Sequence, residues 1–230
     1  MIAVENNLLG IGLYTASEAA FYARIQTRTL NRWLYGDSQG EPVIDPQRGR
    51  SVRDVSFLDF VQALAIRAIT TGPKPGRIPL PKIREAVEEA KQQYGVPYPF
   101  AMEHITFLLG DTVIIRLKDY DYRPLTGTTK GNRLLTEVVE VCKKNLKFGP
   151  AGIAEQITAW GSGDQTIIMN PRLRFGEPTF PSYGYTAQTL WESTASEGSI
   201  VAASRAYGVP EDVIAAACEY WDHLQGRAAA

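Results

Sequence analysis

Cysteine and histidine are scarce in this chain, which has two of each in 230 residues. Cys142 and Cys218 lie too far apart for the paired thiols of a zinc or redox centre. Neither His104 nor His223 has a Cys, Asp or Glu near it at metal-ligand spacing. The sequence therefore predicts no metal, no cofactor and no catalytic residues, and we expect a protein that is not an enzyme.

Long apolar runs are also missing. A helix needs about 20 apolar residues to cross a bilayer, and the longest runs here are far shorter. The N-terminus has neither the basic lead nor the apolar core of a signal peptide. We predict a cytoplasmic protein without a membrane partner, and two buried thiols are typical of that reducing compartment.

Lysine is absent before Lys74, so the positive charge of the N-terminal part comes from arginine alone. From Arg24 to Arg53 there are six arginines and three acidic residues, whereas from Gln165 onward there are four arginines and seven acidic residues. Arginine is the residue best suited to bidentate contacts with guanine or phosphate. This uneven distribution predicts that the N-terminal part contacts double-stranded DNA and the C-terminal part does not.

Residues 13–33 have the pattern of two short helices joined by a tight turn. Thr15 and Glu18 have the spacing of a capping box, which begins a helix. Small alanines follow and leave room for a second helix to cross closely, with Leu30 and Trp33 on its inner side. Two helices crossed in this way form a helix-turn-helix, whose second helix enters the DNA major groove.

The outer side of the second helix carries Arg28, Asn31 and Arg32, which are long enough to reach phosphates or base edges. An ordinary helical hairpin with a solvated arginine face remains the alternative. The predicted DNA-binding residues of this helical pair and of the segment after it are Thr15, Arg24, Arg28, Thr29, Asn31, Arg32, Arg48, Arg50 and Arg53.

The segment after the helical pair has the pattern of a β-wing. Val43 and Ile44 predict a short strand, and residues 45–49 predict a turn, with Arg48, Arg50 and Arg53 at the tip and return of the wing. Ser56 then caps an amphipathic helix that ends near residue 72. Another helix begins at Pro81 and ends at Gly95.

The sequence signals for the remaining elements are weaker in the middle of the chain and stronger toward its C-terminal end. Two strands at 105–109 and 112–115 flank a Gly-Asp hairpin turn, and a helix is predicted over 134–146. The polar stretch 161–164 predicts a domain boundary, followed by a strand at 166–169. Helices are then predicted over 187–196, 200–207 and 211–224, because each has an N-cap residue or proline before it.

Together these elements predict a fold that is mainly α with small β elements. Residues 1–160 are assigned to a winged helix-turn-helix domain with a β-hairpin extension. Residues 165–226 are assigned to a small three-helix domain. Glu211, Asp212 and Glu219 lie on its last helix without a basic residue to balance them, so phosphate would repel it and we expect protein contacts there.

Two stretches resemble known families. Residues 13–87 are similar to the MerR-type winged helix-turn-helix, through the LYTASEAA start, Ile25 with Thr29-Leu30, Trp33 and Arg50. Residues 170–224 resemble domain of unknown function 433, through NPRLRFGEPTF, GYTAQTL and the YGVPEDVIAAA segment. The two in this order on one chain resemble VapB-like antitoxins of bacterial toxin–antitoxin pairs.

That resemblance implies a DNA-binding antitoxin. Such a protein represses its own operon as a homodimer on a two-fold operator and neutralises a PIN-domain ribonuclease. Many antitoxins bind their toxin through a disordered tail, whereas the acidic end here has the pattern of a compact domain. Whether that domain binds a toxin or forms the homodimer stays open. The alternative is a MerR-like regulator that responds to a small ligand and has no toxin partner.

Overall fold

A computed structural model of the chain describes residues 9–38, 40–71, 79–103, 105–109, 112–116, 123–124 and 144–226. For 93–94, 105–109, 112–116 and 123–124 only the backbone is described. The chain divides into two compact units, Met1–Glu155 and Gln156–Ala230. Of the two cysteines and two histidines, Cys142 and His104 lie outside the described residues.

The first unit begins with a short strand, β1 (Gly12–Thr15), followed by helices α1 (Ala16–Tyr22) and α2 (Thr27–Tyr35). The predicted capping box at the start of α1 is confirmed. The Thr15 hydroxyl accepts from the Glu18 N–H at 3.2 Å, and the Glu18 carboxylate accepts from the Thr15 N–H at 2.8 Å. These bonds satisfy amide groups that the first turn of a helix otherwise leaves without partners.

Helices α1 and α2 pack closely because alanines form the inner face of α1. Ala19, Ala20 and Ala23 are at most 1% exposed. From α2, Leu30 and Leu34 are fully buried and Trp33 is 3% exposed, so the predicted inner face is confirmed.

The predicted wing is wrong. No strand forms at Val43 and Ile44, because both of their N–H groups donate to the carbonyl of Trp33 on α2, at 2.8 and 2.9 Å. The strand that follows, β2 (Asp54–Ser56), pairs antiparallel with β1 instead of forming a hairpin. Residues 40–53, which we call the strap, are thus an irregular segment, although the predicted turn within it forms and closes with a Gly49 N–H to Pro46 carbonyl bond of 2.9 Å.

Two helices follow the strap. Ser56 begins α3 (Phe57–Thr71), and its hydroxyl accepts from the Asp59 N–H at 3.1 Å, as a helix cap does. Helix α3 is buried on most sides and supplies much of the core of this unit; its side chains exposed by 2% or less include Phe57, Leu58, Phe60, Val61, Ile66 and Ile69. Helix α4 (Leu80–Tyr94) has a proline in its first turn and ends at Gly95 in the left-handed conformation, as predicted.

The predicted hairpin is confirmed as β3 (Ile105–Leu109) paired with β4 (Thr112–Arg116), to which a third strand, β5 (Arg123–Pro124), adds. Its turn lies outside the described residues. So does most of the helix predicted over 134–146, except that its last residue opens a strand, β6 (Leu146–Phe148).

Strand β7 (Ala154–Trp160) runs from the first unit into the second. It is followed by β8 (Ile167–Met169), β9 (Thr179–Phe180) and β10 (Tyr185–Thr186), in a sheet of order β10-β9-β8-β7-β6. Residues 161–164, where the domain boundary was predicted, lie in the connection between β7 and β8, which includes a 3-10 turn at Gly163–Gln165.

The second unit ends with helices α5 (Ala187–Glu197), α6 (Ile200–Tyr207) and α7 (Glu211–Leu224), within one residue of the predicted bounds. Their core includes Leu190, Ala203, Val213, Ile214 and Ala217, all fully buried. This unit is not built from the three helices alone, since strands of the antiparallel sheet precede them. No helix among the described residues is long and apolar enough to span a membrane.

Candidate nucleic-acid interface

The outer face of α2 carries two arginines that are open to solvent. Arg28 and Arg32 are exposed, and the guanidinium group of neither forms a hydrogen bond or ion pair with any residue that the structure describes. Thr29 and Asn31, which come between them in the sequence, are half-buried. The opposite face of the same helix is fixed by Leu30, Trp33 and Leu34, so the arginines stand on a rigid support.

Thr15 and Arg24 were predicted to contact DNA from the ends of α1. The Thr15 hydroxyl is used in the capping box, where it donates to Glu18 Oε2 at 2.8 Å. Arg24 is exposed in the turn between the helices and has a φ of 51°, in the left-handed region that glycine favours. Its N–H donates to the Phe21 carbonyl at 3.0 Å and helps to close the turn.

The three strap arginines have partners within the first unit. Arg48 Nε lies 3.2 Å from Asp54 Oδ1. Arg50 Nη1 donates to Glu41 Oε2 at 3.0 Å. Arg53 stacks its guanidinium over the Tyr35 ring at the end of α2, 4.3 Å from the ring centroid. The structure therefore separates the exposed arginines of α2, whose guanidinium groups have no partner among the described residues, from the three arginines of the strap, which have one. Thr15 and Arg24 belong to neither group, because both are used at the ends of α1.

The strap itself is fastened to the helices around it. From α4, Arg84 Nε donates to the Pro42 carbonyl at 3.0 Å, and Lys91 forms an ion pair with Asp45. From α3, the Asp59 carboxylate accepts from the Gln47 N–H at 3.3 Å. The sequence does not predict these anchors. Ser56 and Asp59 have the spacing of a capping box, which indicates the start of α3 but not a contact with the strap.

Asp59 has an unusual environment, because its side chain is almost fully enclosed, with the residue 1% exposed. Burial raises the pKa of this carboxyl to about 6, against hydrogen bonds from the Ser56 hydroxyl and from the Gln47 and Ser56 N–H groups, which lower it. Asp45 adds a smaller increase through its negative charge. Asp59 thus joins the strap to the start of α3 through a group that titrates near neutral pH.

The second unit presents different chemistry. Burial raises the pKa of the Cys218 thiol, which favours the unreactive protonated form. His223 lies against Trp160, with ring centroids 4.9 Å apart. Among the aromatic side chains of its helices, Tyr220 and Trp221 are buried, and Trp191 and Tyr207 are half-buried. No group of three or more metal-ligating side chains occurs in the described part of the chain.

Comparison with known proteins gives two matches that cover most of the chain. A protein of Mycobacterium tuberculosis (strain ATCC 25618 / H37Rv) named "Putative antitoxin VapB45" is 23% identical over an alignment of 222 residues, which covers 88% of this chain and 90% of that protein. The crystal structure of Rv2018 from Mycobacterium tuberculosis superposes with a TM-score of 0.55 and 19% identity, over 90% of this chain and 97% of that one. This chain and Rv2018 share a fold. No family model matches the sequence, so the resemblances to the MerR type and to domain 433 stay predictions.

Proposed function

We propose that this chain is an antitoxin-like transcriptional repressor. It binds its own operator as a homodimer through α2 and neutralises a PIN-domain ribonuclease encoded beside it. In this proposal it acts by binding and catalyses no reaction.

The observation that carries the DNA-binding part is the outer face of α2. Two arginines project from a helix whose other face is fixed in the core, and no described residue neutralises them. A base-reading arginine needs this combination, because a guanidinium that is already paired must first lose its partner before it can bind guanine or phosphate. The capping box at Thr15 and the closely packed alanines of α1 fix the angle at which α2 is presented.

The antitoxin part is supported by the similarity to VapB45, which extends over nearly the whole of both chains. That extent favours a shared domain order over one shared motif. The acidic helices of the second unit are the part that we assign to protein contacts, since seven acidic residues against four arginines from position 165 onward would oppose a phosphate backbone.

A ligand-responsive MerR-like regulator is less well supported. Such a protein needs a long dimerisation helix after the DNA-binding part, whereas α4 ends at Gly95 and strands β3 and β4 follow.

DNA binding is tested by titrating the full-length protein against a labelled fragment of DNA from upstream of its own gene. Arg28→Ala and Arg32→Ala should each weaken binding by about 1–3 kcal/mol, and one that reads a base should also relax specificity at one position. The matched control is Arg205→Ala, an exposed arginine in the last turn of α6, which should leave affinity unchanged. Equal affinity for both α2 variants and the control would exclude α2 as the reading helix.

The toxin partner is tested by co-expression with the product of the neighbouring gene. We expect a stable complex in which the ribonuclease is inactive, and Arg28→Ala should leave that complex intact. A neighbour that neither co-purifies nor loses nuclease activity would rule out the antitoxin assignment while leaving DNA binding standing.

A further inference from the structure

The connection between β8 and β9, residues 170–178, presents a phenylalanine to solvent. Phe175 is 74% exposed, about twice as much as any other large apolar residue that the structure describes. The other exposed large apolar residues in the described part of the chain are Ile11, Ile200 and Val201, at 38, 36 and 41%. An aromatic ring held this far out of the core is typical of an anchor for a binding partner.

The loop holds this ring in an unfavourable backbone conformation. Arg174 and Phe175 have φ values of 47° and 54°, so two consecutive residues with side chains occupy the left-handed region. They stay there because the loop is tied down: the Leu173 N–H donates to the Asn170 carbonyl at 2.8 Å, and Arg174 Nε donates to the Gly184 carbonyl at 3.0 Å. Strain that persists in a well-bonded loop marks a place where presentation of a side chain matters.

The neighbours of the ring indicate the chemistry of its partner. Arg174 is exposed beside Phe175, so a matching surface combines an apolar contact with a carboxylate. An arginine and an aromatic ring could also stack on nucleic-acid bases. The excess of acidic residues in the second unit opposes phosphate, however, and favours a protein.

The same unit carries a surface of the required kind. Ile200 and Val201 are exposed at the start of α6, and they follow the exposed carboxylate of Glu197 at the end of α5. A surface and its complement on one unit are what a symmetric dimer needs, because each copy then contributes one half to each of two equivalent contacts.

We infer that the second unit is the dimerisation unit, and that the Phe175 loop of one copy docks on the Ile200–Val201 surface of the other in a reciprocal pair of contacts. This inference deepens the proposed function, in that it rests on the proposed homodimer and assigns its interface. A dimer formed in this way requires neither operator DNA nor toxin.

Sedimentation equilibrium of the full chain, without DNA or toxin, tests the interface. The wild type should be dimeric, and Phe175→Ala should raise the dimer dissociation constant at least about thirtyfold, as loss of an interface anchor does. The variant should fold normally because the ring is exposed and alanine keeps the Cβ. Ile11→Ala, which shortens an exposed apolar side chain of the first unit, is the matched control and should leave the constant unchanged.

The complementary surface is tested with Val201→Asp, which places a charge where the ring should dock. This variant alone should be as weakly dimeric as Phe175→Ala. A mixture of the two variants should associate more tightly than either alone, since the mixed dimer keeps one of its two contacts intact.

A monomeric wild type would overturn the inference, as would a Phe175→Ala chain that dimerises normally. Loss of DNA binding with unchanged assembly would instead assign the loop to nucleic acid, and loss of toxin binding with unchanged assembly would assign it to the toxin. A chain that dimerises through Phe175 yet binds no DNA would sink the proposed function and leave this interface standing.

Discussion

Two groups of arginines in the first unit have the same charge and very different surroundings. Arg28 and Arg32 lie on the exposed face of α2, and their guanidinium groups have no partner among the described residues. On the strap, Arg50 is paired with Glu41 and Arg53 lies over an aromatic ring. The number of arginines in the sequence therefore overstates the positive charge that is available to a ligand. Half of the arginines from position 24 to position 53 lie on the strap and already have local partners.

The largest effect is expected from removing the Trp33 side chain, which packs the inner face of α2; the main-chain carbonyl at this position, to which the strap is bonded, stays in place. Trp33→Ala should lower the free energy of unfolding by about 3–5 kcal/mol, as large core aromatics do. Urea denaturation measures this loss.

Trp33→Phe is the matched control for that experiment. The Trp33 Nε1 is buried without a hydrogen-bond partner among the described groups, so phenylalanine gives up no such bond and should cost clearly less than alanine. A small stability loss for Trp33→Ala with a large loss of DNA affinity would mean that the ring faces DNA instead of the core.

A pH titration of stability tests the anchor of the strap. In the unfolded chain Asp59 ionises near pH 4, whereas its folded-state pKa is about 6. Its contribution is therefore fully present below about pH 4 and is lost as the pH rises through about 6, a difference of about 3 kcal/mol.

Asp59→Asn has no carboxyl group to titrate at this position. Its stability relative to the wild type should therefore increase from pH 4 to pH 7 by up to about 3 kcal/mol, measured by urea denaturation across that range. Parallel curves for the two proteins would show that Asp59 does not titrate in this window.

The salt dependence of DNA binding compares the two arginine groups directly. Removing an arginine that neutralises a phosphate lowers the slope of log affinity against log salt by about 1. We expect this change for at least one of Arg28→Ala and Arg32→Ala, and a much smaller one for Arg50→Ala. A full change for Arg50→Ala would show that DNA displaces Glu41 from its partner.

The smallest effect is expected from releasing a strap arginine. Glu41→Gln removes the carboxylate that Arg50 contacts, and an exposed pair of this kind contributes at most about 1 kcal/mol to stability. Stability should be nearly unchanged and DNA affinity at low salt should rise a few-fold, because one negative charge has been removed beside the binding face. A fall in affinity would mean that the pair positions the strap for DNA.

The elements that could be predicted from the sequence are those whose ends carry their own local signals. Thr15, Thr186 and Ser199 each accept a backbone N–H of the first turn, and Gly198 and Gly208 end their helices in the left-handed conformation. These signals require only a few residues of neighbouring sequence. The exposed and buried sides of α2 also follow from a spacing that is visible in one turn of helix.

Local signals of this kind could not show that the predicted β-wing does not form. The β-branched pair at positions 43 and 44 has the propensity of a strand, but a helix carbonyl accepts its N–H groups. Strand β1 pairs with β2 some forty positions away, and no local pattern specifies that partner. The left-handed Arg174 and Phe175 are likewise invisible, since their conformation is imposed by the bonds of the loop around them.

The anchoring of the strap has a consequence for how the protein is made. Trp33 precedes the strap, but Asp59, Arg84 and Lys91 all follow it in the chain. During synthesis α1 and α2 emerge first, as a helical pair with neither its strand partner nor its covering segment. The strap therefore gains its last bonds only after residues through Lys91 have left the ribosome, so the first unit cannot complete its folding before most of it has been made.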